Sequence, residues 1–193
     1  MNKIDIYLVN YHQLNLINNC AKYFKYLNDE ELLKINNLEN NADKANSLIG
    51  LLLVKAFSHN SEIKKNEYGK PYLLNNEFYF NISHSNEITA IAISNSNVGI
   101  DIEFNQDNFD YKNWTIKESF FKLIGKGLSM NDENIDIKDN IITYKNKDYF
   151  FNNYDLDEYS LTVSYEIESK INIKYLNNYE LIEILKILEK KEF

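Results

Sequence analysis

The side chains that could do chemistry in this sequence are concentrated in two short segments, 98–103 and 114–122. Together the two segments offer three carboxylates and two ammonium groups. They are Asp101, Glu103, Lys117, Glu118 and Lys122. Mg²⁺ is bound by carboxylates together with phosphates, and ammonium groups bind phosphate oxygens. The set can therefore hold a divalent metal beside a phosphate ester.

The first segment has the spacing of a strand with a polar face. Asp101 and Glu103 are two positions apart, so in a strand over 97–103 both carboxylates project from the same face. Ile100 and Ile102 would then face the core, and Gly99 would permit a close approach of another backbone. The alternative is an exposed polar strand face without a function.

The second segment has the spacing of a helix over 115–124 that ends at Gly125. Glu118 and Lys122 are four positions apart and share a face, with Trp114 one turn earlier. A structural explanation is also open. Thr115 and Glu118 fit a capping box, and Glu118 with Lys122 fits a surface ion pair worth only ~0.2–0.5 kcal/mol.

A third polar group ends a predicted strand at Asn81-Ile82-Ser83-His84-Ser85. Ser83, His84 and Lys70 could contact a phosphate through hydroxyl, imidazolium and ammonium donors. A single histidine at a strand end can equally be structural. The sequence lacks GxSxG, Walker A, GxGxxG and CxxC motifs, which argues against the commonest hydrolase, P-loop, dinucleotide and zinc classes.

Composition narrows the class of protein further. The net charge of −8 argues against a general nucleic-acid binder, and all 21 basic residues are lysine, so no guanidinium can clamp a phosphate. The single cysteine, Cys20, excludes an internal disulfide framework. No apolar run approaches the ~20 residues of a membrane span, and Asp5 argues against a signal peptide. We therefore expect a cytoplasmic protein without a membrane segment.

The elements that must position these residues alternate between strands and helices. Strands are predicted at 4–9, 77–82, 88–94, 97–103, 135–137, 141–144, 148–151, 160–167 and 171–175. Helices are predicted at 28–38, at 43–58 with Asp43 as its cap, at 115–124 and from Asn178 onward. Strands followed by a helix occur twice, which predicts two α+β halves, 1–103 and 104–193, with a junction near Glu103.

The ordered motifs resemble one family over nearly the whole chain. They are Gly69-Lys70-Pro71, Phe80-Asn81-Ile82-Ser83-His84-Ser85, Gly99-Ile100-Asp101-Ile102-Glu103 and Trp114-x-x-Lys117-Glu118-Ser119-x-x-Lys122-x-x-Gly125-Lys126-Gly127-Leu128. This order is similar to that of 4′-phosphopantetheinyl transferases of the surfactin-synthetase-activating type. The resemblance implies a pseudo-dimer of two similar α+β halves in one monomeric chain, with coenzyme A between them.

The resemblance also implies a reaction and roles for the residues. The phosphopantetheine arm of coenzyme A would move to a serine of an apo acyl or peptidyl carrier protein, releasing adenosine 3′,5′-bisphosphate. Asp101, Glu103 and Glu118 would hold Mg²⁺, and Glu118, Lys122 and Asp101 would be catalytic. The residues implied to bind coenzyme A are Lys70, Ser83, His84, Trp114, Lys117 and Lys122.

Two departures from the family leave alternatives open. The segment between the two motifs is only ten residues, 104–113, where the family has several tens that border the carrier-docking surface. Basic residues that the family uses to grip the 3′-phosphate are missing near 30–46. One hypothesis is an active, shortened transferase. Another is a non-catalytic descendant that binds a coenzyme A-like ligand or a partner, and a third is a metal-dependent protein acting on another phosphoanhydride.

Overall fold

The computed structural model describes residues 2–14, 20–59, 61–126 and 135–191, and shows a mixed α+β fold. The strands are β1 (Asn2–Asn10), β2 (Ile63–Lys65), β3 (Pro71–Leu73), β4 (Tyr79–Ser85), β5 (Ile88–Ser94), β6 (Val98–Phe104), β7 (Ile135–Lys138), β8 (Ile141–Tyr144), β9 (Lys147–Leu156), β10 (Tyr159–Tyr165) and β11 (Ser169–Tyr175). The helices are α1 (Asp29–Asn36), α2 (Asn41–Phe57), α3 (Tyr111–Ile124) and α4 (Asn178–Leu185). The predicted strands and helices are confirmed, with shifts at their ends.

Two sheets carry most of the strands. The first has the order β11-β1-β5-β4, and the second has the order β6-β10-β9-β8-β7. β2 and β3 form a separate hairpin. β11 pairs in parallel with β1, so a strand from the end of the chain completes the first sheet. Conversely, β6 pairs with β10 in the second sheet. Each sheet thus contains a strand from the other side of the predicted junction near Glu103. The two-half organisation stays a prediction.

Apolar faces of the helices and sheets form the core. The inner face of α2 is buried throughout and packs with residues of α4 and the first sheet; it is formed by Ala45, Leu48, Ile49, Leu52, Leu53 and Ala56. One cluster is shared by the two sheets, joining Ile6 and Ala92 of the first to Ile100, Ile102 and Val163 of the second. The prediction that Ile100 and Ile102 face the core is therefore confirmed. A third cluster lies between α3 and the second sheet around Phe120.

The helix starts differ from the sequence prediction because of their caps. Asn40, rather than Asp43, caps α2, since its side chain accepts from the backbone N–H of Ala42. Asp110 caps α3 by accepting from the N–H of Asn113, so α3 begins four residues earlier than predicted. The capping-box explanation of Thr115 is therefore wrong. α3 ends as predicted at Gly125, which has a left-handed φ of 70°.

The two sheets meet where β4 and β6 run side by side, and this contact is made by side chains of β4. Every second backbone N–H of β6 donates to a polar side chain of β4. The bonds are Ile100 N to Asn81 Oδ1 at 2.9 Å, Ile102 N to Ser83 Oγ at 3.4 Å and Phe104 N to Ser85 Oγ at 3.0 Å. We call this contact the seam.

Candidate active site

Asp101 lies at the seam in a closed set of three polar side chains. Its carboxylate is buried, with 3% of the residue exposed. Lys122 Nζ lies 2.6 Å from Asp101 Oδ1, and Ser83 Oγ donates to the same oxygen at 2.9 Å. Lys122 Nζ also donates to Ser83 Oγ at 2.9 Å. The burial of Asp101 rules out the exposed polar face considered for this strand.

Glu103 lies beside Asp101 on the face of β6 that α3 covers. Ser85 Oγ donates to Glu103 Oε2 at 2.9 Å, and burial raises the pKa of this carboxylate, a rise that Ser85 and the nearby Trp114 side chain oppose. Trp114 remains 40% exposed and stacks edge-on against Phe109 at a centroid distance of 5.9 Å. Trp114 therefore lies between Glu103 and the exposed end of the 104–113 segment.

α3 approaches β6 so closely that only glycine fits at position 99. A Cβ on Gly99 would lie 2.0 Å from the carbonyl oxygen of Ser119 and 2.4 Å from the backbone nitrogen of Leu123. Hydroxyl contacts fix the register of α3 on β10, namely Thr115 with Thr162 and Ser119 with Ser164, both at 2.8 Å. This contact places the Glu118 and Lys122 face of α3 over the carboxylates of β6.

Glu118 is the group whose proton affinity is best suited to catalysis at neutral pH. Burial raises the pKa of Glu118 to about 7, and repulsion from Asp101 and then Glu103 adds to the rise, while Lys122 opposes it. Burial also raises the pKa of Asp101 and of Glu103. A carboxyl group with a pKa near 7 can accept and return a proton under physiological conditions.

The donor chemistry of the three carboxylates fits a hard divalent cation. Asp101 Oδ2 is buried and accepts no hydrogen bond from any residue that the structure describes. Such an oxygen has a lone pair directed to no donor, which a cation would satisfy. However, within 2–14, 20–59, 61–126 and 135–191 no three His, Cys, Asp or Glu side chains are grouped closely enough to hold a metal. Lys122 is the cation that contacts Asp101 here.

His84 projects from the face of β4 opposite to Ser83. It lines a cavity of about 220 Å³. Burial lowers the pKa of His84, which Asp43 opposes, and burial likewise lowers the pKa of Lys34 on the same cavity. Apolar side chains form half of the remaining wall: Ile35, Leu51, Ile63, Pro71, Phe80 and Ile82. Glu30 also lines it and is paired with Lys65 at 2.7 Å, so little positive charge is unpaired there.

The structure brings together some of the predicted site residues and not others. Asp101, Glu103, Glu118, Lys122, Ser83, His84 and Trp114 lie along the seam or next to it. Lys70 is bonded elsewhere, to Asn97, Val98 and Leu123 near the end of α3. Lys117 is exposed on α3, about 140° around the helix axis from Lys122. Gly127 and Leu128 of the motif lie outside the described residues.

Two site residues were missed by the sequence analysis. Ser85 holds Glu103, and Asn81 accepts from the backbone of β6. The available signal was the alternation of Asn81, Ser83 and Ser85 with Phe80, Ile82 and His84, which places three short polar side chains on one face of β4. Only the neighbouring strand shows what that face contacts.

Known proteins resemble this chain, although no family model matches it. The 4′-phosphopantetheinyl transferase gsp of Aneurinibacillus migulanus is 31% identical, over 66% of this chain and 63% of the relative. A 4′-phosphopantetheinyl transferase of Bacillus subtilis is 31% identical, over 50% of this chain and 59% of the relative. The 4′-phosphopantetheinyl transferase Sfp of Bacillus subtilis strain 168 is 27% identical, over 56% of this chain and 65% of the relative. The chain spans less than two thirds of the length of these relatives. None of the helices in the described residues is long and apolar enough to cross a membrane.

Proposed function

We propose that this chain, which resembles 4′-phosphopantetheinyl transferases, moves the 4′-phosphopantetheine group of coenzyme A to a serine of an apo acyl or peptidyl carrier protein. The observation that carries this proposal is Glu118, a carboxyl group with a pKa of about 7 held beside the Asp101–Lys122 pair. We further propose that the protein acts as a monomer in the cytoplasm.

The proposed chemistry is a displacement at phosphorus. The serine Oγ of the carrier attacks the phosphorus that bears the pantetheine arm, Glu118 accepts the serine proton, and the bond to the second phosphate breaks. Adenosine 3′,5′-bisphosphate leaves with the bonding electron pair. Lys122, which is 30% exposed and already directed into the seam, stabilises the negative charge on the leaving phosphate.

Asp101, Glu103 and Glu118 are the residues that would hold Mg²⁺, and the free Oδ2 of Asp101 supports this assignment. Bound Mg²⁺ would neutralise charge on the pyrophosphate under attack. Ser83 and Ser85 fix the two carboxylates of β6, so the rotamers of Asp101 and Glu103 are set before any ligand binds.

The cavity at His84 is the proposed binding region for part of coenzyme A. The apolar part of its wall fits an uncharged portion of the ligand, while His84 and Lys34 supply donors for phosphate oxygens. The short segment 104–113 supports a narrow choice of carrier protein, because it leaves little chain beside Trp114 to contact one.

The test is transfer to a panel of apo carrier proteins with coenzyme A and Mg²⁺, followed by intact-protein mass spectrometry. We expect a phosphopantetheine adduct with the wild type and with Asp136→Asn, an exposed control on β7. We expect none with Glu118→Gln or Asp101→Asn. Binding of coenzyme A without transfer to any carrier would instead favour the non-catalytic alternative, and cleavage of another phosphoanhydride would favour the third hypothesis.

A further inference from the structure

We propose that Lys70 is a positioning residue of the active site, whose ammonium group holds α3 in place on β6 and does not bind a phosphate of coenzyme A. This differs from the phosphate-binding role that the sequence motif implies for Lys70. The kinetic part of the proposal rests on the proposed transferase function, whereas the structural part does not. It is argued from the hydrogen bonds, the burial and the location of the Lys70 side chain.

Three acceptors use all the donor capacity of the Lys70 ammonium group. Lys70 Nζ donates to Asn97 Oδ1 at 2.7 Å, to the carbonyl of Val98 at 3.1 Å and to the carbonyl of Leu123 at 2.9 Å. An ammonium group has three protons and no acceptor. A phosphate oxygen could bind Lys70 only if one of these internal bonds were broken.

The acceptors belong to the two elements that carry the catalytic groups. Val98 is the first residue of β6, three positions before Asp101, and Leu123 is next to Lys122 in the last turn of α3. The last carbonyls of a helix lack intrahelical donors and carry partial negative charge, so a cation is favoured there. Asn97 reinforces the contact, because its Nδ2 also donates to the Leu123 carbonyl at 2.8 Å.

The aliphatic part of the Lys70 side chain packs against the end of α3. Its Cδ lies 3.4 Å from where a Cβ would stand on Gly125, so the side chain runs past the residue that ends α3. Burial lowers the pKa of Lys70 to about 8. The loop that presents Lys70 is itself fixed, since Asn66 Oδ1 accepts from the Lys70 backbone N–H at 2.8 Å.

This clamp acts at the point where α3 is closest to β6. Gly99 and Leu123 are in backbone contact there, and a shift of α3 would change the 2.6 Å distance between Lys122 and Asp101 directly. Lys70 thus affects catalysis through Leu123 and Lys122, without touching the reacting atoms. The hairpin of β2 and β3 is thereby connected to the catalytic centre.

The decisive experiment separates kcat from KM for coenzyme A in Lys70→Met and Asn97→Ala, with the exposed Lys64→Met of the same hairpin as the control. We expect both clamp variants to lose about tenfold or more in kcat, as displaced catalytic groups do. KM for coenzyme A should stay within about threefold, and Lys64→Met should match the wild type. A large rise in KM with an unchanged kcat in Lys70→Met, but not in Asn97→Ala, would overturn the proposal.

Two measurements need no activity. Titration calorimetry should give the same affinity for coenzyme A in the wild type and in Asn97→Ala and Lys70→Met, and a large loss in Lys70→Met alone would again favour a phosphate contact. In ¹⁵N spectra, the Lys70 ammonium protons should exchange slowly, keep their shift when coenzyme A is added, and exchange faster in Asn97→Ala. Fast exchange in the wild type would exclude the clamp. If the wild type transfers nothing but shows the protected signal, the proposed function fails and the clamp stands.

Discussion

Replacing Glu118 with glutamine should stabilise the folded protein while it abolishes transfer. Burial and the neighbouring carboxylates raise the pKa of Glu118 from 4.5 to about 7, so the folded state binds this proton more tightly than the unfolded state does. Stability is therefore lost as the pH rises from about 4.5 through about 7, and the loss is complete above that range. Each tenfold change in proton affinity corresponds to about 1.4 kcal/mol, so the largest loss of unfolding free energy from Glu118 is ~3 kcal/mol.

Urea unfolding at two pH values in the absence of metal measures this effect. At about pH 8, Glu118→Gln should gain up to ~3 kcal/mol, which corresponds to a rise in Tm of up to ~10 °C for a chain of this length. At about pH 4.5 the gain should be near zero, because the wild-type carboxyl group is protonated in the folded state. The exposed Glu67→Gln should change little at either pH. A gain that is absent at the higher pH, or equal at both, would refute the reasoning.

Further predictions concern the same site. Lys122→Met leaves buried Asp101 with Ser83 as its remaining side-chain donor, so urea unfolding should show a loss of ~3 kcal/mol near pH 8 and a smaller loss at acidic pH, because protonation removes the unpaired buried charge. Gly99→Ala forces a Cβ onto the backbone of α3 and should cost ~3 kcal/mol or more in the same assay. Gly50→Ala should cost less, since its Cβ would meet a side-chain atom, Ile82 Cγ2 of β4 at 2.9 Å, rather than backbone. The transfer rate of the wild type, followed by mass spectrometry, should rise with pH through about 7 and then level off, because Glu118 must be ionised to accept a proton; a flat profile would argue against this role.

Most strands and helices were predictable from the sequence because they depend on local periodicity, whereas the three-residue strands β2 and β3 were not predicted. The apolar run of β5 and the one-sided face of α2 need no information from distant residues. The start of α3 was not recovered, because its first turn is mostly exposed and has no apolar pattern. Its cap, Asp110, also precedes a tyrosine and a lysine rather than an apolar run.

The hydrogen-bond partners of the site residues were harder to predict from the sequence. The acidic pair on β6 and the Glu118–Lys122 spacing on α3 predicted which side chains share a face. The spacing did not show that Lys122 bonds to Asp101 rather than to Glu118. Lys70 is the clearest case, since its acceptors lie 27, 28 and 53 positions away. Only the packing of α3 onto β6 brings them to one point.

The seam connects the packing of the two sheets with the geometry of the proposed active site. Ser83 and Ser85 each accept a backbone N–H of β6 and donate to the carboxylate one residue earlier on that strand. Because a serine hydroxyl has one proton, the carboxylate receives the only donor that each side chain can offer. The same hydroxyl therefore joins the two sheets and orients a carboxylate of the proposed active site. A movement of one sheet against the other would displace Asp101 and Glu103 relative to Ser83 and His84 of β4, so the way the sheets pack sets the geometry of the site.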